Sequence, residues 1–158
     1  MVVISIDTIG HERMVRGLSR FGQTVKDWRP VFRDIQQDFY KMEKAIFRAQ
    51  GKPQKFTPLS PRYRFWKEKN FPGKTIMRLN DRLYNSLTGE NQADAQDTVV
   101  DIKPLSAEFG TRVPYAERHQ LGRRMPQRKV VQVEDRDRER WMRMIHRFAY
   151  KLSQEYIG

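Results

Sequence analysis

Apolar side chains recur at intervals of three and four along much of this chain. The clearest run is Trp28, Phe32, Ile35, Phe39, Met42 and Ile46, which step by 4, 3, 4, 3 and 4. That heptad-like seam predicts a helix over 28–49. Asp27 is placed to cap it, and Pro30 suits the first turn, where a missing N–H costs nothing. The seam has to be buried, against the chain's own domain or against a neighbouring subunit. Met14, Val15, Leu18, Phe21 and Val25 predict an earlier helix over 8–26, with Asp7 or Thr8 as its cap. Trp141, Met144, Ile145, Phe148, Leu152 and Tyr156 predict a terminal helix over 135–156. Glu134, Asp135 and Asp137 sit at its start, where the helix dipole favours carboxylates.

Three shorter helices are expected. One begins at Ser60-Pro61, with Ser60 as cap, draws on Tyr63, Phe65 and Trp66, and stops before Phe71-Pro72-Gly73. Tyr63 and Trp66, three residues apart, share a face and read as core. Another carries Leu79, Leu83 and Leu87 on one side. The third opens at Pro114 and ends before Gly122. Between them, Val2, Ile4 and Ile6 alternate as a strand does. Residues 98–102 and 106–111 form a strand pair around a turn at Pro104, and 128–133 reads as a last strand. The class is α+β: N-terminal helices, a small antiparallel sheet and a C-terminal helix. A single domain over 1–158 is expected, with a helical arm at 1–50 and an α+β core at 51–158.

Composition narrows the picture. The chain has 158 residues, 38% hydrophobic and 32% charged, and includes 9 Phe, 6 Tyr and 3 Trp. This is polar but enough for a modest core. There is no cysteine, so disulfides, thiolate nucleophiles and Cys-based zinc sites are excluded. No apolar run is long enough to span a membrane. The first residues lack the basic flank and length of a leader peptide. The formal net charge is +12, unevenly placed. Residues 41–82 carry twelve Lys/Arg against three Asp/Glu, 83–111 one against five, and 112–158 twelve against six. Such blocks suit head-to-tail pairing between copies, contact with a polyanion, or simply solvated faces.

Catalytic chemistry is hard to find. His11, His119 and His146 have no metal-ligand spacing. Gly73-Lys74-Thr75 ends like a P-loop but follows Asn70-Phe71-Pro72, not a glycine-rich cradle. Glu117 and His119, two apart on a short helix, point in different directions. No enzyme and no cofactor are expected. The segment Arg62-Tyr63-Arg64-Phe65-Trp66-Lys67-Glu68-Lys69 interleaves rings and cations, which suits nucleic acid as well as a core face with solvated charges. Arg123, Arg124, Arg128 and Lys129 lie within seven positions beside Gly122 and Pro126. A loop there could present all four to DNA or to an acidic partner.

Two stretches carry a resemblance. The first is Pro58-Leu59-Ser60-Pro61-Arg62-Tyr63, followed by Leu79-Asn80-Asp81-Arg82-Leu83-Tyr84-Asn85-Ser86-Leu87-Thr88. The second is Gly110-Thr111-Arg112-Val113-Pro114-Tyr115-Ala116-Glu117-Arg118-His119-Gln120-Leu121-Gly122, then Met125-Pro126-Gln127-Arg128. In this order they resemble the phage virion morphogenesis family, the tail-completion proteins of Mu-like and related tailed bacteriophages. Its pattern runs L-S-P-x-Y, L-x-L-T-G-x-L-x-N-S-I and G-T-x-V-P-Y-A-x-x-H-Q-x-G, with a Pro-Ala-Arg-Pro-Phe strand after it. Asp81 stands where that pattern has glycine, and the strand after Met125 lacks the second proline and the phenylalanine.

The resemblance implies a structural virion protein at the head–tail junction, made in the host cytoplasm and placed in the neck or tail. It also implies a homo-oligomeric ring, with a hexamer expected, contacting other neck and tail-tube proteins, with no membrane. DNA passing through the lumen would be met sequence-blind. The alternative from charge alone is a nonspecific nucleic-acid-binding protein. Within the motif, Gly110 is expected to allow a strand-end conformation and Pro114 to open the helix. Tyr115, His119 and Gln120 are expected to form a hydrogen-bonded anchor between helix and sheet, or an interface.

Overall fold

A computed structural model describes residues 1–7 and 26–157, leaving out the side chains of 6, 7, 92–94 and 155–157. The helix expected over 8–26 lies outside the described residues, apart from Lys26, which precedes the first described helix. The described elements are β1 (Val2–Asp7), α1 (Arg29–Arg48), α2 (Pro61–Asn70), α3 (Arg82–Thr88), a 3₁₀ helix (Gln92–Asp97), β2 (Thr98–Ile102), β3 (Ser106–Thr111), α4 (Pro114–Leu121) and α5 (Asp135–Ile157). The strands form one antiparallel sheet in the order β1-β3-β2. The fold is α+β, as the periodicities predict.

Contacts divide the chain into two units. The first holds Met1–Val3, Phe39–Val99 and Gly110–Gln132. Its buried residues include Phe39, Ile46, Phe47, Phe56, Leu83, Leu87, Val113 and Val130. Phe47 meets Phe56 and Tyr84 edge-on, with ring centroids 6.3 and 5.3 Å away. The second holds Ile4–Asp38, Val100–Phe109 and Val133–Gly158. Trp28, Phe32, Ile35, Phe109, Trp141 and Ile145 are buried in it. Trp28 packs on Phe148 at 5.8 Å, and its N–H donates to the Pro104 carbonyl at 2.8 Å.

The seam of α1 is buried as expected at Trp28, Phe32, Ile35, Phe39 and Ile46, but Met42 is only half-buried and Glu43 is fully buried. The reason is geometric. On a straight helix a strict seven-residue repeat drifts by about 20° per heptad. By the second heptad Met42 has reached the edge of the stripe, and Glu43 shares the line of Phe39 and Phe47 four residues away on either side.

Helix starts follow chemistry that is only partly the expected one. The Asp27 carboxylate accepts the Arg29 N–H at 3.0 Å, so it supports the first turn of α1. Ser60 stands before α2 with Pro61 at the first turn, but its hydroxyl makes no cap; only its carbonyl is used, by the Arg64 N–H at 2.8 Å. At α5 the Asp137 carboxylate reaches back to the Glu134 N–H at 3.0 Å, half of a capping box. The strand expected over 128–133 does not form: that segment has no ladder partner among the described residues and its backbone is held by side chains, described next.

Candidate functional site

The motif residues meet within the first unit. Ser86 of α3 and Thr111 at the end of β3 are both fully buried, with hydroxyl oxygens 2.7 Å apart. Thr111 Oγ1 accepts the Val113 N–H at 3.1 Å, and Ser86 Oγ donates to the Leu83 carbonyl at 2.9 Å. If Thr111 donates to Ser86, every member of this chain is satisfied, as burial demands. Asp97 ties in the same region. It accepts a two-pronged bond from Arg82 at 2.5 and 2.9 Å, and its own carbonyl takes the Arg112 N–H. The Arg82 guanidinium holds the Asp97 carboxyl below the usual carboxylate range.

Gly110 is needed for space rather than for its backbone angle. Its φ is not left-handed, which corrects the expectation of a special strand-end conformation. A Cβ there would fall on the Val2 carbonyl and stand 2.5 Å from Val3 Cα, so β1 crosses too closely for any side chain. Pro114 opens α4 as expected, and Gly122, at φ +69°, ends it in the left-handed region that favours glycine.

Gln120 is the anchor of the motif. Its Oε1 accepts the N–H groups of Val130 and Val131 at 2.9 and 3.1 Å, and its Nε2 donates to the Val131 carbonyl at 2.8 Å. It joins α4 to an extended segment, not to the sheet. Gln132 adds a second tie, donating to the Gln54 carbonyl at 3.1 Å while accepting the Gln54 N–H at 3.0 Å. Two side-chain amides thus replace the ladder that a strand at 128–133 would need.

Tyr115 and His119 lie edge-on, 6.2 Å between ring centroids. His119 Nδ1 is buried with no hydrogen-bond partner among the described residues. Burial, and secondarily the Arg128 cation, push its pKa down. Tyr115 reaches solvent.

The four-residue basic cluster divides. Arg123 and Arg124 are exposed and Lys129 is half-buried. Arg123 lies 3.4 Å from Glu117. Arg128 is turned inward and is only 7% exposed, which corrects the expectation that it faces DNA or a partner. Its Nε and Nη2 donate to the carbonyls of Thr57 and Pro58 at 2.6 and 3.0 Å, and Thr57 Oγ1 donates to the Gln127 carbonyl at 2.8 Å. These bonds clasp the loop before α2 to the segment after α4. They span about seventy residues of sequence, beyond the reach of any local pattern.

The rings of α2 also depart from expectation. Tyr63 and Trp66 are 41% and 44% exposed and Phe65 is 72% exposed, so they are surface, not core. Tyr63 stacks on Trp66 at 5.4 Å and 22°, and Trp66 leans on Phe71 at 5.6 Å. Instead Lys67 is the buried residue of α2, its ammonium donating to the Thr75 carbonyl at 2.5 Å. Burial pushes the Lys67 pKa down. The low amphipathic contrast of this helix left its orientation to be set by tertiary contacts.

Asp81 precedes α3 at φ +61°, in the left-handed conformation that the glycine of the resembling pattern would adopt freely. Its carboxylate makes no cap. It pairs with Arg78 at 2.7 Å and Lys74 at 2.5 Å, chiefly Arg78 holding its pKa down to about 2.

Among the described residues no group of three or more His, Asp or Glu is placed to hold a metal ion. No described helix is long and apolar enough to cross a membrane. No curated protein and no solved structure matches the chain significantly. A family model does: the one for the phage virion morphogenesis family, over residues 9–148.

Proposed function

The chain belongs to the phage virion morphogenesis family, and from that membership we propose that it acts at the head–tail junction, completing the tail or joining it to the head. Its role is in the structure or assembly of the phage virion. The observation that carries the reading is the family match over 9–148, which takes in the whole bonded framework of α3, β3, α4 and the segment to Gln132. That framework is made largely of buried hydroxyl, amide and guanidinium contacts whose partners are internal, which suits a rigid building block.

The protein works as a ring of its own copies, six being the expected number, beside other neck and tail-tube proteins. A ring follows when one face of a small domain fits a different face of the next copy and the rotation closes. Arg123, Arg124 and Lys129 then face either the lumen, where DNA would meet them through phosphates, or an acidic neighbour. Electron micrographs of particles made without the protein test the role. Full heads and separate tails are expected; tails of uncontrolled length would assign a terminator role instead, and normal infectious particles would refute the reading. Sedimentation of the purified chain tests the ring.

A further inference from the structure

The outer face of α2 has a composition that the motif framework does not use. At about 100° per residue, Phe65, Lys69, Arg62 and Trp66 fall in one sector of the helix, away from the buried Lys67. Phe65 and Trp66 sit at mid-helix, with Arg62 about one turn before them and Lys69 about one turn after, so the two cations border the rings along the axis. Arg62 and Lys69 have no ion-pair partner among the described residues, while Arg64 pairs with Glu68. Tyr63 and Phe71 back Trp66 by ring contact, so the apolar part is pre-packed. A contiguous exposed apolar patch with a charged border marks an interaction site, and Trp, Tyr and Arg are the residue types that carry most interface energy.

We infer that this face of α2 is a docking surface for another protein, one that presents an apolar centre with an acidic rim. Charge complementarity decides the rim: two unpaired cations border the rings. It also argues against a second copy of this chain as occupant. The chain is +12 overall, and three of the five carboxylates of its acidic stretch are engaged internally, Glu90 by Lys44, Asp97 by Arg82 and Asp101 by Lys103. Nucleic acid is disfavoured by number. Two phosphate contacts would give a salt slope of only about −2, against the six to ten contacts of proteins that bind DNA well. Tyr63, Trp66 and Phe71 also pack on one another rather than standing as separate stacking platforms. The identity of the partner as a head or tail protein rests on the junction reading above.

The test uses the full chain, with purified heads and tails from particles made without it as probes. Wild-type protein should cosediment with one of them, and less so at 1 M than at 0.1 M salt. Phe65→Ser with Trp66→Ser, and separately Arg62→Glu with Lys69→Glu, should bind about tenfold or more weakly. The oligomeric state of both should match the wild type; the charge variant should also keep its melting temperature, while the ring variant, which loses the contacts of Trp66 with Tyr63 and Phe71, should stay folded with a melting temperature lower by a few degrees. Arg62→Lys with Lys69→Arg should bind as the wild type does. Variants that bind particles normally would overturn this inference alone. A changed oligomeric state would reassign the face to contact between copies. Loss of binding to a single-stranded oligonucleotide, with particle binding intact, would reassign it to nucleic acid. Wild-type protein that binds neither heads nor tails would overturn this inference and the junction reading together.

Discussion

Gln120 and Val131 exchange hydrogen bonds in both directions: the amide oxygen of Gln120 accepts the Val131 N–H at 3.1 Å and its nitrogen donates to the Val131 carbonyl at 2.8 Å. The same oxygen takes the Val130 N–H at 2.9 Å. One side chain thus does for a short extended segment what a neighbouring strand does in a sheet. Val130 is fully buried beneath it, so these backbone groups have little access to water.

Gln120→Leu should therefore destabilise the protein by about 2–4 kcal/mol, because each buried group left unpaired costs about 1–3 kcal/mol and the costs overlap. Gln120→Glu keeps the acceptor and loses the donor, and should cost less. Urea midpoints of the three proteins check the order; equal midpoints for Leu and wild type would remove the anchor.

The basic cluster should separate by mutation. Replacing Arg123, Arg124 and Lys129 together by Ala should leave the melting temperature nearly unchanged, since Arg123 and Arg124 are exposed and Lys129 only half-buried, and charges at the surface contribute little. Arg128→Ala should lower stability by about 1.5–3 kcal/mol, the range for hydrogen bonds to a charged group. If the three outer cations meet DNA, the triple variant should flatten the slope of log affinity against log salt by about 3. DNA binding with an unchanged slope would assign them to an acidic protein neighbour.

Asp81 makes a prediction in pH. Its folded pKa of about 2 lies below the ordinary 3.8. The carboxylate's contribution is therefore present above pH 4 and is lost as pH falls from about 4 through 2. It amounts to about 2 kcal/mol. Asp81→Asn should be less stable at neutral pH and should lose that part of the acid dependence. Asp81→Gly should lose the ion pairs to Arg78 and Lys74 but recover about 1 kcal/mol from the left-handed backbone. Guanidinium titrations at pH 7 and pH 2.5 distinguish the three.

His119 acts in a higher window. Its pKa is lowered in the fold by burial and by Arg128, so the neutral ring is the form the fold accepts. Stability is complete above the unfolded value of about 6.5 and declines as pH falls below it. His119→Gln should abolish the extra loss between pH 7.5 and 5.5. A ring resonance titrating at or above the ordinary histidine value would contradict this.

Gly110→Ala should cost about 2–3 kcal/mol or more, because the new methyl meets the backbone of β1 at Val2 and Val3 and only a shift of that strand can admit it. Phe39→Ala, at a site 1% exposed, should cost about 3–5 kcal/mol. Chemical denaturation measures both.

Local pattern alone determined much of this protein. The repeat of Trp28, Phe32, Ile35 and Phe39 required a helix with one buried face, and Trp141 with Ile145 required another. Pro114 and Gly122 bounded α4, and the residues on either side of Pro104 paired as strands. These are short-range demands: a helical or extended backbone places neighbours three, four or two apart, and water penalises the apolar ones. Tertiary structure decided what depended on partners far along the chain. Arg128 turned inward because the Thr57 and Pro58 carbonyls were there to receive it, and 128–133 stayed out of the sheet because Gln120 and Gln132 satisfied its backbone first. In α2 the rings went outward and Lys67 inward, since burying an ammonium needs an acceptor, and the Thr75 carbonyl supplies one that no local spacing could announce.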